Sequence, residues 1–159
     1  MNKHLIVVGV DGSDSGRRAL EWAAQEAADR DTAVQAVMAW SWEGVEASDT
    51  ASPQEERRRA AELLDQQIRA VLAVHGAHLP IAAEAVEGSP AEVLTGAARS
   101  ADLLVLGSHG HSRLRHTVLG SVSEACIRKA ICPVVVIPSR MGEPVPDREP
   151  ALRTVGAHR

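Results

Sequence analysis

Short apolar runs alternate with helix-length segments along this chain, and that alternation limits the folds open to it. Leu5 to Val10, Ala33 to Trp40, Ile81 to Val86, Leu103 to Leu106 and Pro133 to Ile137 read as strands. The first is almost continuously apolar, the pattern of a strand buried on both faces. Ser15 to Arg30 reads as a helix with Ala19, Leu20, Ala23 and Ala27 on one stripe. Ser52-Pro53-Gln54-Glu55 carries a cap, a first-turn proline and an acidic third position, and opens a second helix to about His75. Its inward residues are expected to be Ala61, Leu64, Ile68, Val71 and Leu72, with Gly76 as the stop. Ser89-Pro90-Ala91-Glu92 repeats the signature and starts a helix to about Ser100. Ser121-x-x-Glu124 reads as a capping box opening a helix to Ala130. The order βαβαβαβαβ requires crossover connections, hence one α/β domain with an open five-stranded parallel sheet and helices on both faces. In such folds ligands sit at the carboxyl ends of the strands, where the strand order reverses.

Residues 1–139 are expected to form this domain. Residues 140–159, with Pro144, Pro146, Pro150 and many charges but no period, are expected to be a mobile tail. The chain has three Trp and neither Phe nor Tyr, so stacking platforms for single-stranded nucleic acid are nearly absent. A formal net charge of −4 provides no basic field for DNA or RNA. No apolar run approaches the roughly 18 residues of a membrane span, and the N-terminal run reads as a first strand, not a signal peptide. Cys126 and Cys132 do not make a close metal or redox pair. They read as two buried reduced thiols, and the expected compartment is the cytoplasm.

Two segments stand at the predicted carboxyl edge. Gly9-Val10-Asp11-Gly12-Ser13 follows the first strand, and Asp11 is placed to hold a ribose hydroxyl or, through water or Mg²⁺, a phosphate. A simple Asp-Gly turn is the alternative. The dinucleotide fingerprint fails here, because the glycines fall at 9, 12 and 16, and a P-loop fails for want of a lysine. Gly9 occupies the nucleophile position of a haloacid-type phosphohydrolase, and Asp14 the centre of a would-be nucleophile elbow, which argues against covalent chemistry. The second segment is Gly107-x-x-Gly110, nine residues, then Gly120-Ser121. Glycines that admit close backbone approach, followed by a helix N-terminus, form a phosphate cradle. The Ser121 and Ser123 hydroxyls are available to phosphate oxygens. His109, His111 and His116 stand with Arg113 and Arg115, with no Asp, Glu or Cys between 109 and 116. That favours an electrostatic role over a metal site.

Gly107-x2-Gly110-x9-Gly120-Ser121 resembles the G-2x-G-9x-G-(S/T) signature of the ATP-binding universal stress proteins. VVGVDGSDSGRRALEWA near the start and CPVVVIP near residue 138 are similar to that family too. The resemblance implies a Rossmann-like sheet of order 3-2-1-4-5 and a homodimer formed through the last strand, at Val134, Val135 and Val136. It implies an adenine nucleotide ligand, ATP with Mg²⁺. Val10 and Asp11 would contact adenine and ribose, and Ala39 would line the base pocket by its backbone. Gly107, Gly110, Gly120, Ser121, Val122 and Ser123 would surround ribose and triphosphate, with Gly12, Ser108, His111 and Arg113 beside them. The implied role is a nucleotide-dependent stress regulator with no catalytic residue. A slow ATPase or nucleotidyl-transfer enzyme of similar fold, and a nucleotide-free dimerisation module, are the rival readings.

Overall fold

The computed structural model describes residues 4–42, 52–109 and 119–138. Five strands, β1 (Leu5–Gly9), β2 (Ala33–Trp40), β3 (Ile81–Glu87), β4 (Leu103–Gly107) and β5 (Val134–Ile137), alternate with four helices, α1 (Asp14–Arg30), α2 (Pro53–His75), α3 (Pro90–Ala97) and α4 (Ser121–Lys129). The sheet is parallel throughout, in the order β3-β2-β1-β4-β5. Strand order therefore reverses between β1 and β4, where Val7 lies beside Leu104 and Val8 beside Val105.

Both faces of the central strands are sealed. On one, Ile6, Val8, Val34, Ala36, Met38 and Val105 meet five buried alanines and Leu20, Leu64, Ile68 and Val71 of α1 and α2. On the other, Val7, Val37, Leu104 and Leu106 meet Leu94 of α3 and Cys126 of α4. Alternate residues of one strand thus feed opposite layers, which is why the strands read as apolar runs. With no Phe or Tyr to fill a thick layer, the alanines of α1 let helix and sheet approach closely.

Of the four helix starts, only that of α1 differs from the sequence reading, by one residue. Ser13 caps α1, accepting from the Gly16 N–H at 3.1 Å, so the helix begins at Asp14. Ser52 caps α2 as expected, accepting from the Glu55 N–H at 3.2 Å. Ser89 holds the cap position of α3 without a side-chain capping bond. The α2 stripe runs through Ala60, Leu64, Ile68 and Val71, with Ala61 only partly buried. Beyond Ala97 the third helix tightens into a 3-10 turn, Ala98–Ser100.

The two cysteines are free, but only Cys126 is buried and Cys132 is half-buried. Burial pushes the Cys126 thiol up to about 11 and raises that of Cys132 as well. A raised thiol pKa leaves less thiolate, the reactive form, at neutral pH. With a thiol-labelling reagent at pH 8, the folded protein is expected to react first at Cys132, and at Cys126 only in denaturant. Equal labelling rates, read by peptide mass spectrometry, would contradict this burial pattern.

Candidate ligand-binding cleft

A cavity of about 280 Å³ opens above the carboxyl ends of β1 and β4, at the reversal of strand order. That is near the small end of ligand pockets, which run from roughly 300 to 1,000 Å³. The two sides differ in character. Towards β2 the wall is apolar, made by Val37 and Ala39 of that strand and by Pro90 and Leu94 of α3. Towards β4 and the helix starts it is polar, made by Asp11, Ser13, His109, Ser121 and Ser123. Such a cleft suits a ligand with a flat apolar end and a charged or hydroxylated end.

The polar side is built by pinning α4 to the end of β4. The Gly120 N–H donates to the Ser108 carbonyl at 2.6 Å, and the Ser123 hydroxyl donates to the Gly107 carbonyl at 2.7 Å. Ser108 is itself anchored, its N–H donating to the Ile137 carbonyl of β5 at 2.8 Å. The connection between β4 and α4 therefore returns to where it began. The first bond inside α4 runs from the Glu124 N–H to the Gly120 carbonyl at 3.0 Å. The N–H groups of Ser121, Val122 and Ser123 precede it and have no partner within the helix. These three residues line the cleft, so the positive end of the helix faces it.

Two expectations about this segment are corrected. Gly120, not Ser121, is the cap of α4. Extended backbone at Gly120 (φ −72°, ψ 164°) makes the turn, so Ser121 is the first helical residue and makes no capping bond. The Ser123 hydroxyl proton is committed to the Gly107 carbonyl, so that hydroxyl is not available as a donor; the residue's backbone N–H lies outside the helix's own bonding. The glycines have a packing reason of their own. A Cβ on Gly107 would lie 2.1 Å from Ser15 Oγ and 2.8 Å from the Ser15 backbone, and one on Gly120 would lie 3.1 Å from the Ser108 carbonyl oxygen. Both are glycine because α1 and the loop itself press against them.

Val10, Asp11, Ala39, Gly107, Ser121, Val122 and Ser123 all line the cleft. Gly12, Ser108 and Gly120 shape its walls from behind: Gly12 turns the chain at φ 80°, Ser108 is buried, and Gly120 is the cap. Gly110, His111 and Arg113 lie outside the described residues. Sequence reasoning missed the apolar wall of Val37, Pro90, Leu94 and Leu106. Only the Ser89-Pro90 helix start, at the carboxyl edge of β3, hinted at α3. Ser13, Gly16 and His109 also face the cavity, and no Lys or Arg does among the described residues.

An open doubly wound sheet with an amide-lined cleft at its switch point defines a class of small ligand-binding α/β domain. Within it, the chain belongs to the universal stress protein family, whose model matches residues 2–138. It is 32% identical to universal stress protein MT2052 of Mycobacterium tuberculosis, an alignment covering 91% of this chain and 50% of that protein. It is 33% identical to universal stress protein Mb2028c of Mycobacterium bovis, covering 97% and 54%. The chain thus spans about half the length of the curated relatives it matches. Among solved structures, a universal stress protein in complex with cAMP superposes with a TM-score of 0.66 and 29% identity over 88% of this chain and all of that one. UspA from Lactobacillus plantarum, at TM-score 0.71 and 22% identity over 86% and 99%, shares the fold.

Two glycines separate packing from propensity. Gly107→Ala is expected to destabilise the protein by about 1–3 kcal/mol through overpacking against Ser15. Gly96 sits inside α3, and a Cβ there would meet nothing within 4 Å, so Gly96→Ala should stabilise by about 0.5–1 kcal/mol. Urea unfolding midpoints of the two variants test the sign of each.

Proposed function

We propose that the cleft binds an adenine nucleotide, ATP with Mg²⁺, and that the protein acts as a nucleotide-dependent stress regulator. The carrying observation is the junction of an apolar slot and a row of helix-terminal N–H groups in one cavity. The slot between Ala39 and Leu94 takes the base, with Val10 beneath it and the backbone of Ala39 at its edge. The Asp11 carboxylate accepts from the ribose hydroxyls. The N–H groups of Ser121, Val122 and Ser123 receive phosphate oxygens, since an anion at a helix N-terminus is stabilised by both the free amides and the dipole. Gly110, His111 and Arg113 belong to the proposed phosphate side. The cAMP complex of a relative at 29% identity supports an adenine ligand. Among the described residues no group of three His, Cys, Asp or Glu could hold a metal. Mg²⁺ would therefore come bound to the phosphates, keeping several waters, which suits its chemistry.

A ligand that binds only the folded state raises its stability, by about 2.7 kcal/mol at a hundredfold excess over Kd. ATP and cAMP are expected to raise the melting temperature, and Asp11→Ala to diminish the shift. If no adenine nucleotide at millimolar concentration moves the melting curve of the parent protein, the assignment is wrong.

We further propose a homodimer through the β5 edge. The two edges of the sheet differ: β3 carries exposed Glu84 and Glu87, whereas β5 is Val134, Val135, Val136 and Ile137, with neither charge nor proline. Charged residues guard an edge, and an apolar unguarded one invites pairing. Val136 belongs to neither buried cluster, so Val136→Glu should alter the edge with little harm to the core. Sedimentation equilibrium is expected to give a dimer for the parent and a monomer for Val136→Glu; a monomeric parent would refute the pairing.

A further inference from the structure

The turn between β1 and α1 holds one carboxylate in place with unusual thoroughness. Asp11 Oδ1 accepts from the Ser13 N–H at 2.9 Å and also from the Ser13 hydroxyl. The same Ser13 oxygen accepts from the Gly16 N–H at 3.1 Å. Its single proton goes to Asp11, and one of its lone pairs goes to the helix. Gly12, at φ 80°, supplies the left-handed turn that swings Ser13 back towards Asp11. Gly16 lies under the carboxylate, and a Cβ there would stand 2.7 Å from Asp11 Oδ1 and 3.3 Å from the Asp11 nitrogen. Asp11, Ser13 and Gly16 all line the cleft.

We propose that Ser13 and Gly16 are positioning residues that fix the Asp11 carboxylate for a ribose, so that the cleft selects ribonucleotides over nucleotides lacking both ribose hydroxyls. This rests on the nucleotide reading above. An unrestrained aspartate at an exposed turn samples several rotamers, and each bond to a diol would cost the loss of that freedom. With Oδ1 clamped by two donors, the carboxylate plane is set before the ligand arrives, and so is the direction of Oδ2. Preorganisation of this kind raises affinity by reducing what must be ordered on binding. Ser13 thereby has two separable tasks, capping α1 and aiming Asp11. The cap needs only an acceptor, whereas aiming needs a donor.

That difference gives the test. Ser13→Asp retains a good capping acceptor but its side chain cannot donate to Asp11, leaving only the backbone N–H to hold Oδ1, and it adds a like charge beside it. Ser13→Thr retains both functions. The parent is expected to bind ATP roughly tenfold more tightly than 2′,3′-dideoxy-ATP, since a hydrogen bond to a charged group is lost. By isothermal titration that ratio should fall towards one in Ser13→Asp and in Ser13→Ala, and persist in Ser13→Thr. Circular dichroism and melting curves should show Ser13→Asp folded. A ratio unchanged in Ser13→Asp overturns the proposal while leaving nucleotide binding intact. So does a parent that binds both nucleotides equally. If the parent binds neither nucleotide, the functional reading falls and this inference falls with it.

Discussion

The hydrogen bond from the Gly120 N–H to the Ser108 carbonyl holds the cleft together. It joins the end of β4 to the start of α4, and the Ser123 hydroxyl repeats the tie one residue earlier on the strand. Without this pin the helix would still form, because its own bonds begin at Glu124. Its open N–H groups would not be aimed at the sheet's carboxyl edge. Ser108 transmits the constraint further, since its own N–H is bonded to β5. One buried backbone residue thus fixes three elements, and a loop of any conformation between 109 and 119 must respect its ends.

Among the described residues the cleft is lined by helix-terminal amides and by neither Lys nor Arg. A lysine would bring a mobile, strongly hydrated charge, whereas N–H groups at a pinned helix start are already oriented. The carboxylate of Asp11 sits at the same edge, held by Ser13 near the start of α1. Two helix N-termini therefore converge on the switch point with different partners. The α1 start is occupied by the protein's own Ser13 cap, and the α4 start, capped by glycine without a side-chain bond, is left for something else. That asymmetry is the physical support for the proposal that phosphate would lie at α4 and sugar on the Asp11 side.

Much of the fold was legible because strands buried on both faces must be apolar throughout and crossover helices must be amphipathic. The runs at Leu5, Ala33, Ile81, Leu103 and Pro133 became the five strands, and Ser52 and Gly76 bounded α2 as expected. The misreadings were of single bonds. Ser121 satisfies a capping-box pattern, yet Gly120 takes the cap because its N–H is drawn onto Ser108. Ser123 looks like a free hydroxyl in sequence, yet its proton is claimed by a carbonyl sixteen residues away. Gly107 lines the cleft as expected, yet it is the contact with Ser15 of another helix that leaves no room for a Cβ there. No local pattern encodes any of these partners.

The sequence alone determined the alternation of strand and helix, the parallel sheet this forces, and the two loops at its carboxyl edge. Periodicity and capping chemistry act over a few residues, and those can be read in order. Tertiary structure alone decided that Val37, Pro90 and Leu94 close one side of the cavity, and which donors remain open on the other. It also decided that Ser13 clamps Asp11 and that Gly16 leaves the carboxylate its room. Such facts depend on which surfaces come within about 3 Å of one another, and packing sets that distance only after the chain has closed on itself.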